Sequence, residues 1–320
     1  MIALCIESSN IRGMGHLFRS ILLVEYLRHK DIPFLYMIND DEMSLSILED
    51  RNIDYITVDF DDALSNWESK IIDNYNISIW INDKYITSED MGLHIKGAGI
   101  KFCVLDDMGP GEQYADVFIG GMIAPIRQDI KCKKKYIGSK YIILNPEIDI
   151  YKRKRVEINR ILVTLGGSDP HGVTIEVVRE LKKIGLCADI LIGPDFALKE
   201  ELLRMNDNAF KIMQNVPSVI ALFEDYDFAI TGGGQTCCEA MASGLPCLII
   251  ANAEHEEKTG LWYESKNACL YAGMYGLWNR NLLNDIYKLN IENMSERGMA
   301  LFDTGAIRRI ISIIMNEDSI

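Results

Sequence analysis

Short apolar runs rich in β-branched residues alternate along this chain with stretches whose apolar positions recur at helical spacing, a pattern that predicts helices packed on parallel sheets. The alternation occurs twice. In the first half the predicted strands are 2–6, 34–38, 55–58, 77–81, 102–105 and 117–119. In the second they are 161–165, 188–192, 228–230, 247–250 and 269–271, with a weaker one at 210–213. Between the halves, Asn145-Pro146-Glu147 and the basic stretch from Tyr151 to Arg155 carry no apolar periodicity and read as an interdomain linker. Domains are therefore expected over 1–150 and 151–305, with a terminal helix over 306–320 whose Ile307, Ile310, Ile311 and Ile314 share one apolar face. No internal repeat or low-complexity tract breaks this reading.

The 320 residues, 48% hydrophobic and 25% charged, suffice for two cores and exclude a disordered, collagen-like or coiled-coil chain. A net charge of -14 repels polyanions, so no nucleic-acid partner is expected and any anionic ligand must be held locally. No apolar run approaches the ~20 residues of a membrane helix, and the N-terminus lacks the features of a signal peptide, so a cytoplasmic protein is predicted. The eight cysteines include no C-x-x-C pair, so neither a disulfide scaffold nor a zinc site is expected. The basic runs 131–135 and 152–155 read as solvated connectors rather than phosphate or membrane contacts.

In parallel sheets ligands bind beyond the carboxyl ends of the strands, so the chemistry is sought in the loops there. After the first strand, Gly13-Met14-Gly15-His16 leads into a helix, and His16 in its first turn meets a positive potential that favours a neutral imidazole able to act as a base. A capping histidine after an ordinary turn fits the same spacing equally well. No third glycine completes a dinucleotide fingerprint, so no redox cofactor is expected. Asn82-Asp83-Lys84-Tyr85 and Asp106-Asp107 follow two further strands. Asp83 with Tyr85 fits either an orienting site or a cap, whereas Asp106 and Asp107 read as turn caps and are too few oxygens for a metal. In the second half, Gly166-Gly167-Ser168-Asp169 and Gly232-Gly233-Gly234-Gln235-Thr236 each join a strand to a helix, where backbone amides can cradle phosphate. Glu239 follows within the second of these helices and could reach ribose hydroxyls. Together the two loops suggest a diphosphate with its nucleoside attached.

These motifs, with Leu105-Asp106-Asp107, the stretch from Tyr141 to Glu147, Asn215-Val216 and Gly244-Leu245-Pro246, resemble the PseG/SpsG-like nucleotide-sugar proteins of nonulosonic-acid (pseudaminic-acid) and spore-coat polysaccharide pathways, within the MurG-like GT-B superfamily. The resemblance implies an α/β, GT-B-like fold: two Rossmann-like domains with parallel sheets facing a central cleft, and a C-terminal helix crossing back to the N-terminal domain. It implies a hydrolase cleaving a UDP-linked amino or deoxy sugar, with His16 as general base and Asp83 and Tyr85 positioning water or sugar. Val216 would contact uracil, Ser168, Asp169, Gly233, Gly234, Gln235 and Thr236 would hold the diphosphate, and Glu239 the ribose. Gly15, Arg19, Asn82 and His255 would face the sugar, His255 standing in a segment where the family carries Asn-Gln. Cys5 and Glu7 also depart from the family pattern, which has Arg and Asp there. No cofactor and no metal are implied, and a monomer or weak homodimer is expected. An inverting glycosyltransferase using the same donor is the alternative reading, and a non-catalytic nucleotide-sugar-binding subunit the second.

Overall fold

The structure, a computed structural model, describes residues 1–8, 14–62, 65–122, 129–167, 169–194, 196–205 and 209–315. Seven strands, β1 (Ile2–Ile6), β2 (Phe34–Ile38), β3 (Ile56–Thr57), β4 (Ile79–Asp83), β5 (Lys101–Leu105), β6 (Val117–Gly120) and β7 (Lys135–Ile137), form one parallel sheet in the order β3-β2-β1-β4-β5-β6-β7. Six more, β8 (Ile161–Thr164), β9 (Ala188–Ile192), β10 (Phe210–Gln214), β11 (Phe228–Thr231), β12 (Cys247–Ala251) and β13 (Cys269–Met274), form a second in the order β10-β9-β8-β11-β12-β13. The chain accordingly divides into two compact units, Met1–Ile143 with Gly305–Ile320, and Leu144–Thr304. Central strands such as β1 are buried at every position, which is why they read as unbroken apolar runs.

In the first unit the pleat sorts side chains onto two faces. Leu4, Ile6, Ile38 and Ile81 share one core with Leu17, Ile21 and Val24 of the helix Gly15–His29. Ala3, Cys5, Met37, Trp80 and Phe102 build the other. Because alternate residues face opposite sides, Asp83 falls on the helix side with Ile81, and Asn82 on the far side with Trp80. The terminal helix Ala306–Met315 adds Ile307, Ile310, Ile311 and Ile314 to the first of these cores, the apolar face its spacing predicts.

Three local differences from the sequence reading have physical causes. The strand predicted over 77–81 runs instead to Asp83, because parallel pairing with β1 extends through Ile6 opposite Asp83 even though its last residues are polar. The basic run 131–135 ends in β7, a sheet-edge strand that opens with Lys135. Arg155, read as part of a solvated stretch, is 1% exposed and donates to the carbonyl oxygens of Tyr226 (3.1 Å), Phe223 (2.6 Å), Arg153 (2.7 Å) and Ser243. Burial lowers its pKa to about 10, with neighbouring Arg153 acting in the same direction. Among the described residues no helix is long and apolar enough to cross a membrane.

Candidate active site

Both sheets reverse strand order beside their first strand, between β1 and β4 and between β8 and β11, the kind of switch point at whose carboxyl edge parallel sheets bind ligands. In the first unit this is where the titratable groups collect. His16 Nδ1 lies 2.8 Å from Asp83 Oδ1 and 3.1 Å from the Asp83 carbonyl oxygen. Arg19, one turn further along the same helix, donates from Nε to Asp83 Oδ2 at 2.7 Å and from Nη2 to Oδ1. Its Nη1 reaches Asp106 Oδ2 at 2.7 Å, and Asp106 Oδ1 accepts from the Met122 amide at 3.0 Å. Asp83 and Arg19 are buried, while the His16 side chain stays a quarter exposed.

Burial alone would raise the Asp83 carboxyl, but the Arg19 guanidinium and then His16 outweigh it and lower its pKa to about 2. For Arg19 burial works against the charge and is overcome by Asp83 and Asp106, so its pKa lies above the ordinary value. A carboxylate that is ionised throughout the physiological range accepts a hydrogen bond from His16 Nδ1-H. That bond assigns the tautomer and leaves the Nε2 lone pair as the basic atom. The sequence offers Asp83 as either an orienting carboxylate or a cap; in the structure its carboxylate lies against His16 Nδ1.

The remaining first-unit candidates divide. Among the described residues, and leaving aside its own chain neighbours and helix backbone, nothing lies within 4 Å of the position a Cβ on Gly15 would take, so open space adjoins His16 there. Tyr85 is 40% exposed on the loop past Asp83, its carbonyl oxygen accepting from the Met108 amide. Arg19 is a correction: expected to face the sugar, it is engaged by two carboxylates inside the protein. Asn82 is another, fully buried on the opposite face, with its Oδ1 accepting from Trp80 Nε1 (2.7 Å) and its Nδ2 donating to Thr87 Oγ1 (3.0 Å). Asp107 ties the same loop, accepting from the amides of Thr87 (3.2 Å) and Gly109 (2.6 Å), and burial raises its pKa to about 6 despite these bonds. Asp106, read as a turn cap, instead adopts a left-handed φ of 49° and clamps Arg19; a contact between residues 87 apart leaves no local signal.

In the second unit Ser168 lies outside the described residues. Asp169 is buried, and its two carboxylate oxygens accept from the amides of Val173 (2.9 Å) and Thr174 (2.7 Å), so it starts the helix Val173–Ile184 rather than facing a nucleotide. Val216 is half-buried just past β10, after Asn215 in a left-handed conformation with φ 57°. Gly234 precedes the helix Gln235–Ala242 and makes no side-chain cap bond, and the start of that helix is its positive end. Thr236 is half-buried in that turn. Gln235 Nε2 approaches Glu239 Oε1 at 3.4 Å; burial raises the Glu239 carboxyl to about 7 while this amide pulls it partly back. His255 is exposed in the first turn of the helix Glu254–Ser265. Beside it Glu256, which sequence reasoning missed, accepts from the Gly233 amide at 3.1 Å and the Asn252 amide at 2.7 Å. No metal-binding group of three or more His, Cys, Asp or Glu side chains is found among the described residues.

With this geometry in place, the chain can be set against known proteins. No family model matches it. An uncharacterized protein of Methanocaldococcus jannaschii is 27% identical over 278 residues, 79% of this chain and 56% of that protein, so the chain spans little more than half of this relative's length. The spore coat polysaccharide biosynthesis protein SpsG of Bacillus subtilis is 24% identical over 328 aligned residues, with 95% of each chain covered. MurG of Acinetobacter baumannii superposes with a TM-score of 0.74 at 12% identity over 98% of this chain and 99% of that one. HepE of Anabaena, solved in complex with UDP, gives 0.68 at 13% identity over 99% and 100%. The fold is that of the GT-B glycosyltransferases. In sequence the chain is similar to a polysaccharide biosynthesis protein.

Proposed function

We propose that the protein cleaves the anomeric C-O bond of a UDP-linked amino or deoxy sugar, with water as the attacking group. The observation that carries this reading is the Nδ1 bond from His16 to a buried, ionised Asp83, which presents Nε2 as a base beside open space at Gly15. In the step itself, Nε2 takes a proton from water as the water oxygen forms its bond to the anomeric carbon. The bond from that carbon to the distal phosphate oxygen breaks, and UDP leaves with the electron pair. The imidazolium so formed is stabilised by Asp83. Attack opposite the leaving group inverts the anomeric configuration, and UDP needs no proton to depart because its phosphate is already a weak base.

On this reading the second unit holds the nucleotide: the positive start of the helix Gln235–Ala242, with Gly234, Gln235 and Thr236, takes the diphosphate, Glu239 grips the ribose, and the backbone at Val216 meets uracil. The HepE complex with UDP supports this choice of nucleotide, and the likeness to SpsG, a spore coat polysaccharide biosynthesis protein, supports a place in surface-polysaccharide synthesis. Turnover of UDP-acetamido sugars by the purified protein, lost in His16→Ala with UDP affinity retained, is the test. Transfer to an acceptor hydroxyl is the second reading, favoured by the exposed Phe18, Tyr85 and Ile86, apolar side chains within three residues of His16 or Asp83 that a reaction with water does not require. A requirement for an added acceptor before UDP is released would decide for it.

A further inference from the structure

The glycine turn after β11 already holds a carboxylate. Oε2 of Glu256 accepts from both the Gly233 and the Asn252 amides, which lie at the ends of neighbouring strands. A Cβ on Gly233 would stand 2.7 Å from the Glu256 Cβ, closer than carbon atoms tolerate, and one on Gly234 would stand 3.4 Å from Glu256 Oε1. Glycine at 233 therefore admits this side chain, and one carboxylate oxygen borders the start of the helix Gln235–Ala242. Glu254 and Glu257 share the same helical turn, adding to the negative field.

That placement matters for the charge of what binds there. A free nucleoside diphosphate ends in a phosphate that carries up to one more negative charge than the corresponding sugar ester, in which that oxygen is bonded to carbon. Two like charges a few ångströms apart in a half-buried site repel strongly. We infer that Glu256 is a specificity-determining residue that penalises the free nucleoside diphosphate more than its glycosyl ester, a role that rests on the proposed nucleotide site. When the C-O bond breaks, the ligand gains the charge that Glu256 disfavours, so the carboxylate that lets the ester bind also hastens departure of the nucleotide.

The test is calorimetric titration of the full chain and of Glu256→Gln, which keeps an oxygen acceptor for the two amides but removes the charge, with UDP, UDP-N-acetylglucosamine and inorganic pyrophosphate. The expected result is that the variant binds UDP and pyrophosphate about tenfold more tightly and the sugar ester only about threefold, following the charge difference. Glu256→Ala, checked by its melting transition, should preserve that order, because the effect belongs to the charge and not to the hydrogen bonds. Equal changes for UDP and the ester, or none, overturn the inference while leaving the nucleotide site standing. Failure of both uridine compounds to bind either protein, with pyrophosphate still tightened in the variant, overturns the uridine reading and supports the repulsion. Pyrophosphate indifferent to the variant removes both.

Discussion

Asp83 is the residue on which the first-unit site turns, because the same carboxylate faces His16 and Arg19. Replacing it by Asn keeps the shape but offers one acceptor where two are used, frees the imidazole to adopt the other tautomer, and leaves Arg19 with Asp106 alone. Asp83→Asn is expected to lower kcat/KM about a thousandfold and to cost about 3 kcal/mol of stability through the uncompensated buried guanidinium, read by steady-state kinetics and urea unfolding. At Glu239 the sign runs with pH. Its carboxyl is raised to about 7, so the ionised form that can accept from ribose hydroxyls grows as pH rises from 6 to 8. Affinity for UDP-N-acetylglucosamine, whose diphosphate does not titrate in that range, is expected to rise about tenfold over those two units and to become flat in Glu239→Gln, as measured by titration at each pH. His16 and its glycines were legible from the sequence as a possible base, but the roles of Arg19 and Asn82 were not. Whether a polar residue at a strand end meets ligand or core depends on which side of the pleat it occupies, and a shift of two residues in the predicted strand hid that.

At the scale of elements, the central strands of both sheets were legible because strands covered on both faces must be apolar throughout. β7 was not, since a three-residue edge strand following a basic run carries too little apolar pattern to mark it, yet pairs with β6. The loops after β8 and β9 meet at a point the sequence does not mark. A Cβ on Gly193 would lie 1.9 Å from the Gly167 carbonyl oxygen and 2.4 Å from its Cα, so only glycine lets the two backbones pass. Gly193→Ala is expected to destabilise the second unit by about 3 kcal/mol, since backbone offers no flexible end to give way. It should also weaken UDP binding by shifting the Gly166-Gly167 turn; chemical denaturation and titration check the two effects separately. Glu256 illustrates the same limit, reaching a glycine 23 residues earlier in the chain through a turn that only the folded sheet brings near.

For the whole molecule, two parallel sheets with reversed strand order divide the proposed work. On the proposed function the second unit supplies the start of the helix Gln235–Ala242 and Glu239 for a nucleotide, and the first supplies the base. The division of α/β units was readable from the repeated alternation, and the closing helix 306–315 from its isoleucine stripe, which completes the first core. A net charge of -14 leaves anion binding to local groups, consistent with reliance on backbone amides rather than basic side chains at the glycine turn. The central claim is that His16, oriented by Asp83, activates water against the anomeric carbon. It is tested most directly by proton and phosphorus NMR of the purified protein with a panel of UDP-acetamido sugars, following the anomeric phosphate and the configuration of any free sugar. The expected result is UDP together with a sugar of inverted anomeric configuration, at a rate reduced by a factor of about a thousand or more in His16→Ala; unchanged turnover in that variant would contradict the account.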